Sequence, residues 1–427
     1  MNILLLGSGG RECAMAWKIS QSSYCDKLYI APGNGGTTAY GENIMLSPVD
    51  FQKVGEFAKS HDIGMVVVGP EDPLVNGIVD YFMSDSELKN IAVIGPAQEA
   101  AKLEGSKSYA KAFMNKYCIP TAAHRSFTPD ETEAAKDFLT TIRPPYVIKA
   151  DGLAAGKGVL ICSTLDEAKN AIDSILLKKE FGNAGNSLII EEFLDGIEMS
   201  SFVLTDGQNY LMLPEAKDYK RIGDYDTGPN TGGMGTISPV PFADEEFIQK
   251  VKTRIIEPTI AGIRNENMHY CGFVFIGLMN VNGNPYVIEY NVRLGDPETQ
   301  SILPRIESDL TELMLAAWNK TLGSQSIAIL PHTAVSIVLA SGGYPSHYEK
   351  GKHIHLPPTD NNSLIFHAGT SYTNDILLTS GGRVLTACGM GKNLEEAVSR
   401  AYKLAHNINF DNKYFRTDIG NDLKKYL

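Results

Sequence analysis

The sequence predicts a multidomain protein of mixed α/β and α+β class. Short apolar runs alternate with helical patterns over the first hundred residues, which is typical of parallel strands buried on both faces. Later in the chain, two strand patterns flank the turn sequence Asn-Gly-Asn at 282–284 and predict an antiparallel hairpin. A length of 427 residues allows two to four domains and a large core.

Composition excludes several classes of protein. The chain is 43% hydrophobic and 21% charged, which is ordinary for a soluble protein, and its net charge of −12 argues against nucleic-acid binding. Six scattered cysteines without a CxxC pair, and nine histidines without an HxxxH spacing, favour reduced thiols over disulfides or zinc. Neither a signal peptide nor a run of roughly 18 apolar residues is present, so we expect a cytoplasmic protein that does not engage membranes.

The first element is an apolar strand at 2–6, followed by the turn GSGGRE and a helix from Arg11. This order of elements opens dinucleotide-binding folds, but the third glycine of the G-x-G-x-x-G fingerprint is replaced by Glu12. A nicotinamide cofactor is therefore disfavoured. Gly9, Gly10 and Arg11 at the helix N-terminus still suit a phosphate or a carboxylate.

Two further apolar strands end at turns with polar residues. The strand at 65–68 runs into GPEDP, and the strand at 91–94 runs into GP. Residues at the carboxyl ends of parallel strands line the ligand crevice of such sheets. Glu71 and Asp72 are therefore either ligand contacts or simple loop caps.

The middle of the chain contains two notable lysines and a glycine loop. Lys107 falls at a helix start, and Lys149 lies inside the apolar strand YVIKA at 146–150, where a lysine is costly unless an anion pairs with it. The following sequence DGLAAGKGV does not have the spacing of a phosphate-binding P-loop. We interpret it as a mobile glycine flap over phosphates, although it also fits a plain hairpin turn.

A strand at 188–190 leads into EEFLDGIE, which is typical of a hinge between two lobes. Backbone groups of such a hinge bind a purine edge, and a carboxylate there accepts from an exocyclic amine. The glycine-rich segment 218–235 is too long for a plain loop in a compact domain, so we interpret it as a substrate loop.

The stretch VIEYNVRLGDPETQ at 287–300 combines most of the chemistry. Side chains at i, i+2 and i+4 of a strand share one face, so we expect Glu289, Asn291 and Arg293 to point the same way. Two oxygen donors and a guanidinium suit a metal-bound polyphosphate. The turn after Leu294 then presents Asp296 and Glu298. The alternative is a charged strand face in solvent.

These motifs together resemble the ATP-grasp ligases, and most closely the glycinamide ribonucleotide synthetases (phosphoribosylamine–glycine ligases) of purine biosynthesis. The resemblance rests on GSGGRE, APGNGGT, VVVGPEDPLVNGIVD, LEGSKSYAK, VIKADGLAAGKGV, IEEFLDGIE, DTGPNTGGMG, GDPETQ, GGRVL and RAY. It implies a Rossmann-like N-terminal domain at 1–103 and an ATP-grasp domain at 104–329 with a small ATP lid at about 124–192. A C-terminal α/β domain at 330–427 completes the implied fold.

The resemblance also implies a reaction. ATP would phosphorylate the carboxylate of glycine, and the amine of 5-phospho-β-D-ribosylamine would attack the glycyl phosphate. The products would be glycinamide ribonucleotide, ADP and phosphate. Such chemistry needs positioning and charge neutralisation rather than a protein nucleophile.

Site residues follow from the same resemblance. The residues implied to bind ATP are Lys107, Lys149, Gly152, Gly156, Lys157, Gly158, Glu191, Glu192, Phe193, Leu194 and Glu198. Glu289 and Asn291 would bind Mg²⁺ or Mn²⁺, and Arg293, Lys149 and Asp296 would be catalytic. The residues implied to contact the two small-molecule substrates are Gly10, Arg11, Glu12, Glu71, Asp218, Lys220, Asn230, Thr231, Gly232, Arg293 and Asp296.

Some positions depart from the pattern of these enzymes. Cys13 and Tyr219 stand where the family commonly has histidine, and Leu278–Met279 stand where many ATP-grasp enzymes have a metal-binding carboxylate. In the C-terminal part we expect no catalytic constellation, and we interpret the glycine pairs at 342–343 and 381–382 as turns.

Three other functions remain open at this point: another purine-pathway ligase, a dinucleotide-dependent oxidoreductase, and a non-catalytic nucleotide sensor. We expect a monomer or weak homodimer.

Overall fold

The computed structural model of this protein describes residues 1–153 and 158–427. Its N-terminal unit is a parallel sheet flanked by helices. The strands are β1 (Asn2–Gly7), β2 (Lys27–Pro32), β3 (Glu42–Asn43), β4 (Ile63–Val68) and β5 (Ala92–Pro96). The helices are α1 (Gly10–Ile19), α2 (Phe51–Ser60), α3 (Glu71–Val75), α4 (Ile78–Ser84) and α5 (Gln98–Gly105). The spatial order of the strands is β3-β2-β1-β4-β5.

The apolar runs of this unit are buried on both faces, as the sequence predicts. Leu4 and Leu6 of β1 pack into one core cluster, whereas Ile3 and Leu5 pack into another on the opposite face. Neighbouring strands of the sheet pair in parallel. The prediction of buried parallel strands is thus confirmed.

Next comes a small antiparallel sheet with its own core. Its elements are β6 (His124–Phe127), α7 (Thr132–Phe138), β7 (Tyr146–Ala150), β8 (Val159–Cys162), α8 (Leu165–Leu176) and β9 (Leu188–Glu192), preceded by α6 (Lys107–Lys116). The strand order is β6-β9-β7-β8. Ile148 and Ile190 of adjacent strands pack against Ile172 of α8 in a cluster separate from the other cores.

The central part is built on a long antiparallel hairpin. Its elements are β10 (Ile197–Thr205), β11 (Tyr210–Met212), β12 (Lys217–Asp218), β13 (Arg221–Gly223), β14 (Thr227–Asn230), β15 (Gly235–Ser238), α9 (Glu245–Val251), α10 (Glu257–Asn265), β16 (Tyr270–Val281), β17 (Asn284–Asn291), α11 (Thr299–Ile302) and α12 (Leu310–Trp318). A π-helical turn at Lys252–Ile256 joins α9 to α10. The predicted hairpin is confirmed as β16 paired antiparallel with β17.

The long hairpin continues the N-terminal sheet. Tyr270 and Cys271, at the start of β16, pair with Pro96 and Gly95 of β5. The backbones approach closely here, because a Cβ added to Gly272 would lie 3.0 Å from the Gly95 nitrogen. Parallel and antiparallel strands therefore form one sheet, which places the carboxyl ends of β1 and β4 beside the end of β17.

The sheet of the C-terminal unit also includes two strands from a segment that is distant in sequence, β12 and β15. Its elements are β18 (Thr333–Ser341), β19 (Ser363–His367), β20 (Thr370–Thr373), β21 (Ile376–Thr379), β22 (Arg383–Gly391), α13 (Leu394–Asn407) and β23 (Lys413–Tyr414). The sheet order is β12-β15-β18-β22-β19, with β23 on β18. Both ends of the predicted substrate loop, β12 and β15, are thus strands of the C-terminal sheet.

No helix within residues 1–153 and 158–427 is both long and apolar enough to cross a membrane.

Candidate active site

Two buried lysines share one carboxylate where the small sheet meets the central part. Lys149 on β7 is 4% exposed, and its Nζ lies 2.9 Å from Oε2 of Glu191 on β9. From α6, the Nζ of Lys111 lies 3.2 Å from Oε1 of the same residue. Burial raises the pKa of Glu191, but the two lysines outweigh it and hold that pKa below its usual value. Two cations facing one anion leave surplus positive charge, which suits an anionic ligand.

This pairing bears on the role predicted for Glu191. Both of its oxygens face ammonium groups, so an adenine amine would have to compete with Lys111 and Lys149 for the same carboxylate. The role of Glu191 as an adenine acceptor stays a prediction. Lys111 is a residue that sequence reasoning missed, since a lysine in a helix is usually on the surface.

The start of the glycine loop is tied to α6. Lys107 donates from Nζ to the carbonyl oxygen of Gly152 at 3.1 Å. The Asp151 carboxylate accepts from the backbone N–H of Ser108 at 2.7 Å and from the hydroxyl of Ser187 at 3.0 Å. Gly158 accepts a backbone hydrogen bond from Ala150 at 2.8 Å. The predicted ligands Gly156 and Lys157 lie outside the described residues.

The hinge follows directly after β9. The Oε1 of Glu192 accepts from the backbone N–H of Ala123 at 2.9 Å, and the ring of Phe193 is 39% exposed, with Leu194 half-buried beside it. Glu198, predicted to hold a ribose, forms an ion pair with Lys220 at 2.7 Å. An exposed aromatic ring next to free backbone edges fits a planar ligand.

Glu289 and Asn291 share one face of β17, and we call this pair the metal face. Burial raises the pKa of Glu289, but Lys220, Lys149 and Lys107 outweigh that effect and keep the carboxylate ionised. The amide of Asn291 is buried, and its Nδ2 has no hydrogen-bond partner among residues 1–153 and 158–427. The carboxylate and amide oxygens of this pair are the ligand types that a hard cation such as Mg²⁺ or Mn²⁺ takes, whereas the unpartnered Nδ2 is a donor that suits an anionic oxygen such as that of a phosphate.

A protein-only metal cage is absent from this part of the molecule. Among the described residues, no group of three or more His, Cys, Asp or Glu side chains could hold an ion. Any cation at the metal face would need further ligands from a bound polyphosphate, which is the usual pattern for Mg²⁺.

The prediction that Arg293 continues the strand face is wrong. The strand β17 ends at Asn291, so Arg293 lies beyond it in the following loop. Its Nη2 lies 3.0 Å from Oε1 of Glu104, and its Nε lies 3.4 Å from Oε2 of Glu71. Glu104 also accepts from the backbone N–H of Val292 at 2.8 Å. Helix α5 therefore positions the guanidinium, a contact that no local sequence signal indicates.

The GSGGRE turn packs on the GDPETQ turn. The Oδ2 of Asp296 accepts from the backbone N–H of Arg11 at 3.3 Å, and Oδ1 accepts from Nε2 of Gln300 at 2.9 Å. A Cβ on Gly10 would lie 2.4 Å from Nε2 of Gln300, so a larger residue here would displace the Gln300 side chain from Asp296. The two turns, nearly three hundred residues apart in sequence, thus form one site.

Glu12 has a structural role in this turn. Its Oε2 accepts from the backbone N–H of Gly9 at 2.6 Å, and its Oε1 accepts from Nε of Arg11 at 2.6 Å. The side chain is 2% exposed and packs against Gly7 and Gly69. Glu12 therefore shapes the loop rather than presenting a free carboxylate to a substrate.

A cavity of about 380 Å³ opens between the N-terminal and C-terminal units. We call it the acceptor pocket; it is lined by Ser8, Gly9, Gly33, Asn34, Asp296, Tyr344, Ala368, Gly369, Thr370, Ser380 and Arg383. Arg383 donates from Nη1 to the carbonyl of Asp296 at 2.8 Å. The C-terminal part, where we expect no catalytic constellation, lines this pocket with Arg383 of its GGRVL sequence.

The predicted substrate loop alternates between two environments. Asp218 and Lys220 face the site, whereas Tyr219 between them is buried in the C-terminal unit. The hydroxyl of Tyr219 donates to Oδ1 of Asp422 at 2.5 Å, and the Nζ of Lys217 lies 3.6 Å from its ring centroid. Tyr219 thereby anchors the two polar residues beside it.

The end of the same loop is mostly structural. Thr231 donates from its hydroxyl to the carbonyl of Lys220 at 2.9 Å, and the backbone N–H of Gly232 donates to the hydroxyl of Tyr344 at 3.1 Å. Asn230 is exposed at the end of β14. A role in substrate binding stays a prediction for all three.

Comparison with known proteins accounts for almost the whole chain. Residues 1–104, 105–299 and 334–422 match the N domain, the ATP-grasp (A) domain and the C domain of phosphoribosylglycinamide synthetase. A phosphoribosylamine–glycine ligase from Yersinia pestis is 45% identical over 98% of both chains. A bifunctional purine biosynthetic protein from Pichia angusta is also 45% identical, but the 98% of the chain that aligns spans only 53% of that longer protein.

Solved structures agree with this result. The phosphoribosylamine–glycine ligase from Thermotoga maritima has a TM-score of 0.85 and 37% identity, covering 98% of this chain and 100% of that one. A biotin carboxylase domain from Hydrogenobacter thermophilus, solved with MgADP and bicarbonate, has a TM-score of 0.71 at 16% identity over 97% of this chain and 91% of that one, which shows a shared fold. The chain belongs to the phosphoribosylglycinamide synthetase family of ATP-grasp ligases.

Proposed function

We propose that this enzyme joins glycine to 5-phospho-β-D-ribosylamine, using ATP and forming glycinamide ribonucleotide, ADP and phosphate. The names of its full-length relatives support this reaction. The observation that carries the proposal is the continuity of the site: the lysine cluster, the metal face, Arg293 and the acceptor pocket follow one another without interruption. A carboxylate is a poor acyl donor, so activation by phosphoryl transfer precedes attack by the amine.

The nucleotide occupies the lysine side of the site in this proposal. Lys107 and Lys149 contact the phosphates, and the hinge at Glu192, Phe193 and Leu194 binds the adenine. The ATP-grasp family match and the exposed Phe193 ring support this placement. Fixed ammonium groups stabilise charge as it develops on the transferring group.

Glu289 and Asn291 are the residues that would hold Mg²⁺ or Mn²⁺. When bound there, the cation neutralises phosphate charge and orients the transferring group. Lys220 and Arg293 flank the metal face from either side and keep Glu289 ionised for this purpose.

The acceptor pocket suits the phosphorylated sugar. Arg383 offers a cation for a phosphate, and the backbone N–H of Gly10 at the N-terminus of α1 offers a donor, because the N–H of Gly9 is already bonded to Glu12. Arg293, at the border with the metal face, then faces the carboxylate of glycine. Arg293 and Lys149 stabilise the charge of the phosphoryl group in transit, while Asp296 holds the turn that separates the two substrates.

We also propose cytoplasmic location, three domains with boundaries near 103 and 329, and a monomeric or weakly dimeric state. All six cysteines are unpaired, which fits a reducing compartment. Strands β12 and β15, at the two ends of the substrate loop, belong to the C-terminal sheet although they precede residue 329 in the sequence.

The test of the reaction is its requirement for every component. ADP release should depend on glycine, Mg²⁺ and phosphoribosylamine, the last supplied from ribose 5-phosphate and ammonia. Glycinamide ribonucleotide should form in equal amount to ADP. Turnover with formate or acetate at the same rate as with glycine would contradict the substrate assignment.

Lys111 gives a prediction on nucleotide affinity. When Lys149 turns to the phosphates, Lys111 remains as the cation that pairs with buried Glu191. Lys111→Met removes that cation and should raise KM for ATP about 30-fold, which corresponds to the loss of one hydrogen bond to a charged group. Burial lowers the pKa of Lys111 to about 8, although Glu191 counteracts it. The ammonium is therefore present below pH 8 and lost above it, and KM for ATP in the wild type should rise with pH through that range.

Lys111→Arg is the matched control, because its guanidinium stays charged at all these pH values. This variant should keep a low KM that does not depend on pH. A pH-dependent KM that is the same in wild type and Lys111→Arg would exclude Lys111 as the origin.

Arg383 gives a prediction on the acceptor. Arg383→Gln should raise KM for phosphoribosylamine about 30-fold through loss of a charge-assisted contact, and leave KM for ATP unchanged. The matched control is Arg400→Gln, whose guanidinium pairs with Glu396 on α13 outside the pocket. An increase confined to KM for ATP would contradict the placement of the sugar.

A further inference from the structure

Asp218 is half-buried and Glu298 is buried, and both lie near the GDPETQ turn, whose Asp296 lines the acceptor pocket. Asp218 ends β12 and pairs opposite Thr236 of β15. A Cβ on Gly233 would lie 2.8 Å from Oδ1 of Asp218 and 2.4 Å from Cδ of Pro297. The carboxyl group of Asp218 and the ring of Pro297, the residue that precedes Glu298, therefore both lie next to Gly233. The φ of +106° at Gly233 lets the loop turn over this contact.

The hydrogen bonding of the pair is incomplete. Oδ1 of Asp218 is buried and has no hydrogen-bond partner among the described residues. Glu298 is 3% exposed, and its Oε1 accepts only a long bond of 3.3 Å from the hydroxyl of Ser200. A buried carboxylate oxygen without a donor is costly when ionised and is well placed to receive a proton.

The environment of the two carboxyl groups also raises their pKa values. Burial raises the pKa of Asp218 well above its usual value, and the charge of Glu298 raises it further, against the opposing effects of Lys220 and Arg383. Glu198 adds to the increase. Burial likewise raises the pKa of Glu298, opposed by a hydrogen bond from its own backbone N–H and by the charges of Arg293 and Lys220, while the charge of Asp296 adds to the increase. Ionisation of Glu298 therefore disfavours ionisation of Asp218, because like charges repel each other.

Other carboxylates near the site are poorer bases. Cations outweigh burial and hold the pKa below its usual value in Glu71, Glu191, Glu289 and Asp296. Burial raises the pKa of Glu104, but both its oxygens are engaged, by Arg293 and by the N–H of Val292. Asp218 and Glu298 therefore differ from these carboxylates in combining a raised pKa with no ion pair to lysine or arginine among the described residues.

Amide formation requires such a group. The amine nitrogen forms a bond to the carbonyl carbon of glycyl phosphate, and the bond from that carbon to the phosphate oxygen breaks, releasing inorganic phosphate. The attacking nitrogen carries an extra proton after attack, and the amide forms only when that proton leaves. An acceptor must therefore lie beside the amine, on the pocket side of the metal face.

We propose that the Asp218–Glu298 pair is the proton acceptor for the attacking amine. The pair takes one proton from the nitrogen in the tetrahedral intermediate, and releases it to solvent after the product leaves. Lys220 and Arg383, on either side of Asp218, keep the pair from becoming permanently protonated. This inference rests on the proposed function, because it assigns a step within that reaction.

The variants Asp218→Asn and Glu298→Gln keep the shape of the site and remove the base. Each should lower kcat about 100-fold, the lower end of general-base effects. In the wild type kcat should increase with pH through the raised pKa of the pair, since only the deprotonated pair accepts. The variants should lose this acid limb. Thermal unfolding checks that each variant is folded.

A second measurement separates amide formation from phosphoryl transfer. Positional isotope exchange in ATP labelled with heavy oxygen, with glycine and ribose 5-phosphate present, reports reversible formation of glycyl phosphate. This exchange should proceed at the wild-type rate in both variants. Asp375→Asn, in the exposed turn between β20 and β21, is the matched control and should change neither rate.

An unchanged kcat in Asp218→Asn would overturn the inference, as would an equal loss of isotope exchange and of kcat. Failure of the proposed function is visible separately, as wild-type enzyme that releases no ADP in response to glycine. That result would also remove the proton acceptor, because no amine would remain to be deprotonated.

Discussion

Replacement of Glu289 by Gln is expected to lower kcat about 1000-fold, while leaving nucleotide binding in the absence of metal within a factor of about three. The carboxylate is the only ionised member of the metal face, and three lysines hold it in that form. Gln keeps the size of the side chain and removes the charge that a divalent cation requires. The measurements are ADP release as a function of Mg²⁺ concentration and equilibrium binding of ATP without metal.

The control for this variant is Glu246→Gln on α9, where an exposed glutamate pairs with Lys250. Its kcat and Mg²⁺ dependence should match those of the wild type. Full activity of Glu289→Gln at low Mg²⁺ would contradict the assignment of the metal face. A loss that disappears at high Mg²⁺ would support it, since weak binding is then overcome by mass action.

Arg293→Met should lower kcat by about 1000-fold or more, the effect of removing an arginine that stabilises a transferring phosphoryl group. The guanidinium is held by Glu104 and Glu71 on the border between the metal face and the acceptor pocket. Steady-state kinetics with each substrate varied in turn should show the loss in kcat rather than in KM for ATP.

The same substitution should also destabilise the fold. It leaves Glu104 buried without its cation, which costs about 3–5 kcal/mol. The double variant Arg293→Met with Glu104→Gln removes the unpaired charge and should recover most of that stability, as measured by urea unfolding. Activity should stay low in the double variant. Recovery of activity together with stability would show that Arg293 acts only through folding.

The parts of the site that could be predicted from sequence are those specified by neighbouring residues. A lysine inside an apolar strand, as at Lys149, is unusual wherever the strand lies, and strand alternation places Glu289 and Asn291 on one face without knowledge of the partner strand. Glycine turns after buried strands also depend on a few adjacent residues. The motifs built on these local rules predicted the fold class and the family, which the comparisons confirm.

Sequence reasoning failed where a residue acts through a partner far away in the chain. The alternation of residue types in the sequence predicts that Arg293 continues the strand face. In the structure the strand ends two residues earlier, and Glu104 of α5 forms an ion pair with the guanidinium. The capping contact of Glu12 with Gly9 is local, and its role in substrate binding stays a prediction. Nothing beside Arg293 in the sequence indicates its contact with Glu104.

By itself, the sequence determined the family, the strand–turn–helix unit at the N-terminus and which charged residues are available to the candidate site. The tertiary structure decided which of these charged groups contact one another. It joined β5 to β16, inserted β12 and β15 into the C-terminal sheet, and brought Arg383 to Asp296. The physical reason is that backbone conformation and side-chain alternation depend on neighbouring residues. The pairing of strands and of buried charges depends instead on which segments, distant in sequence, pack together and exclude water.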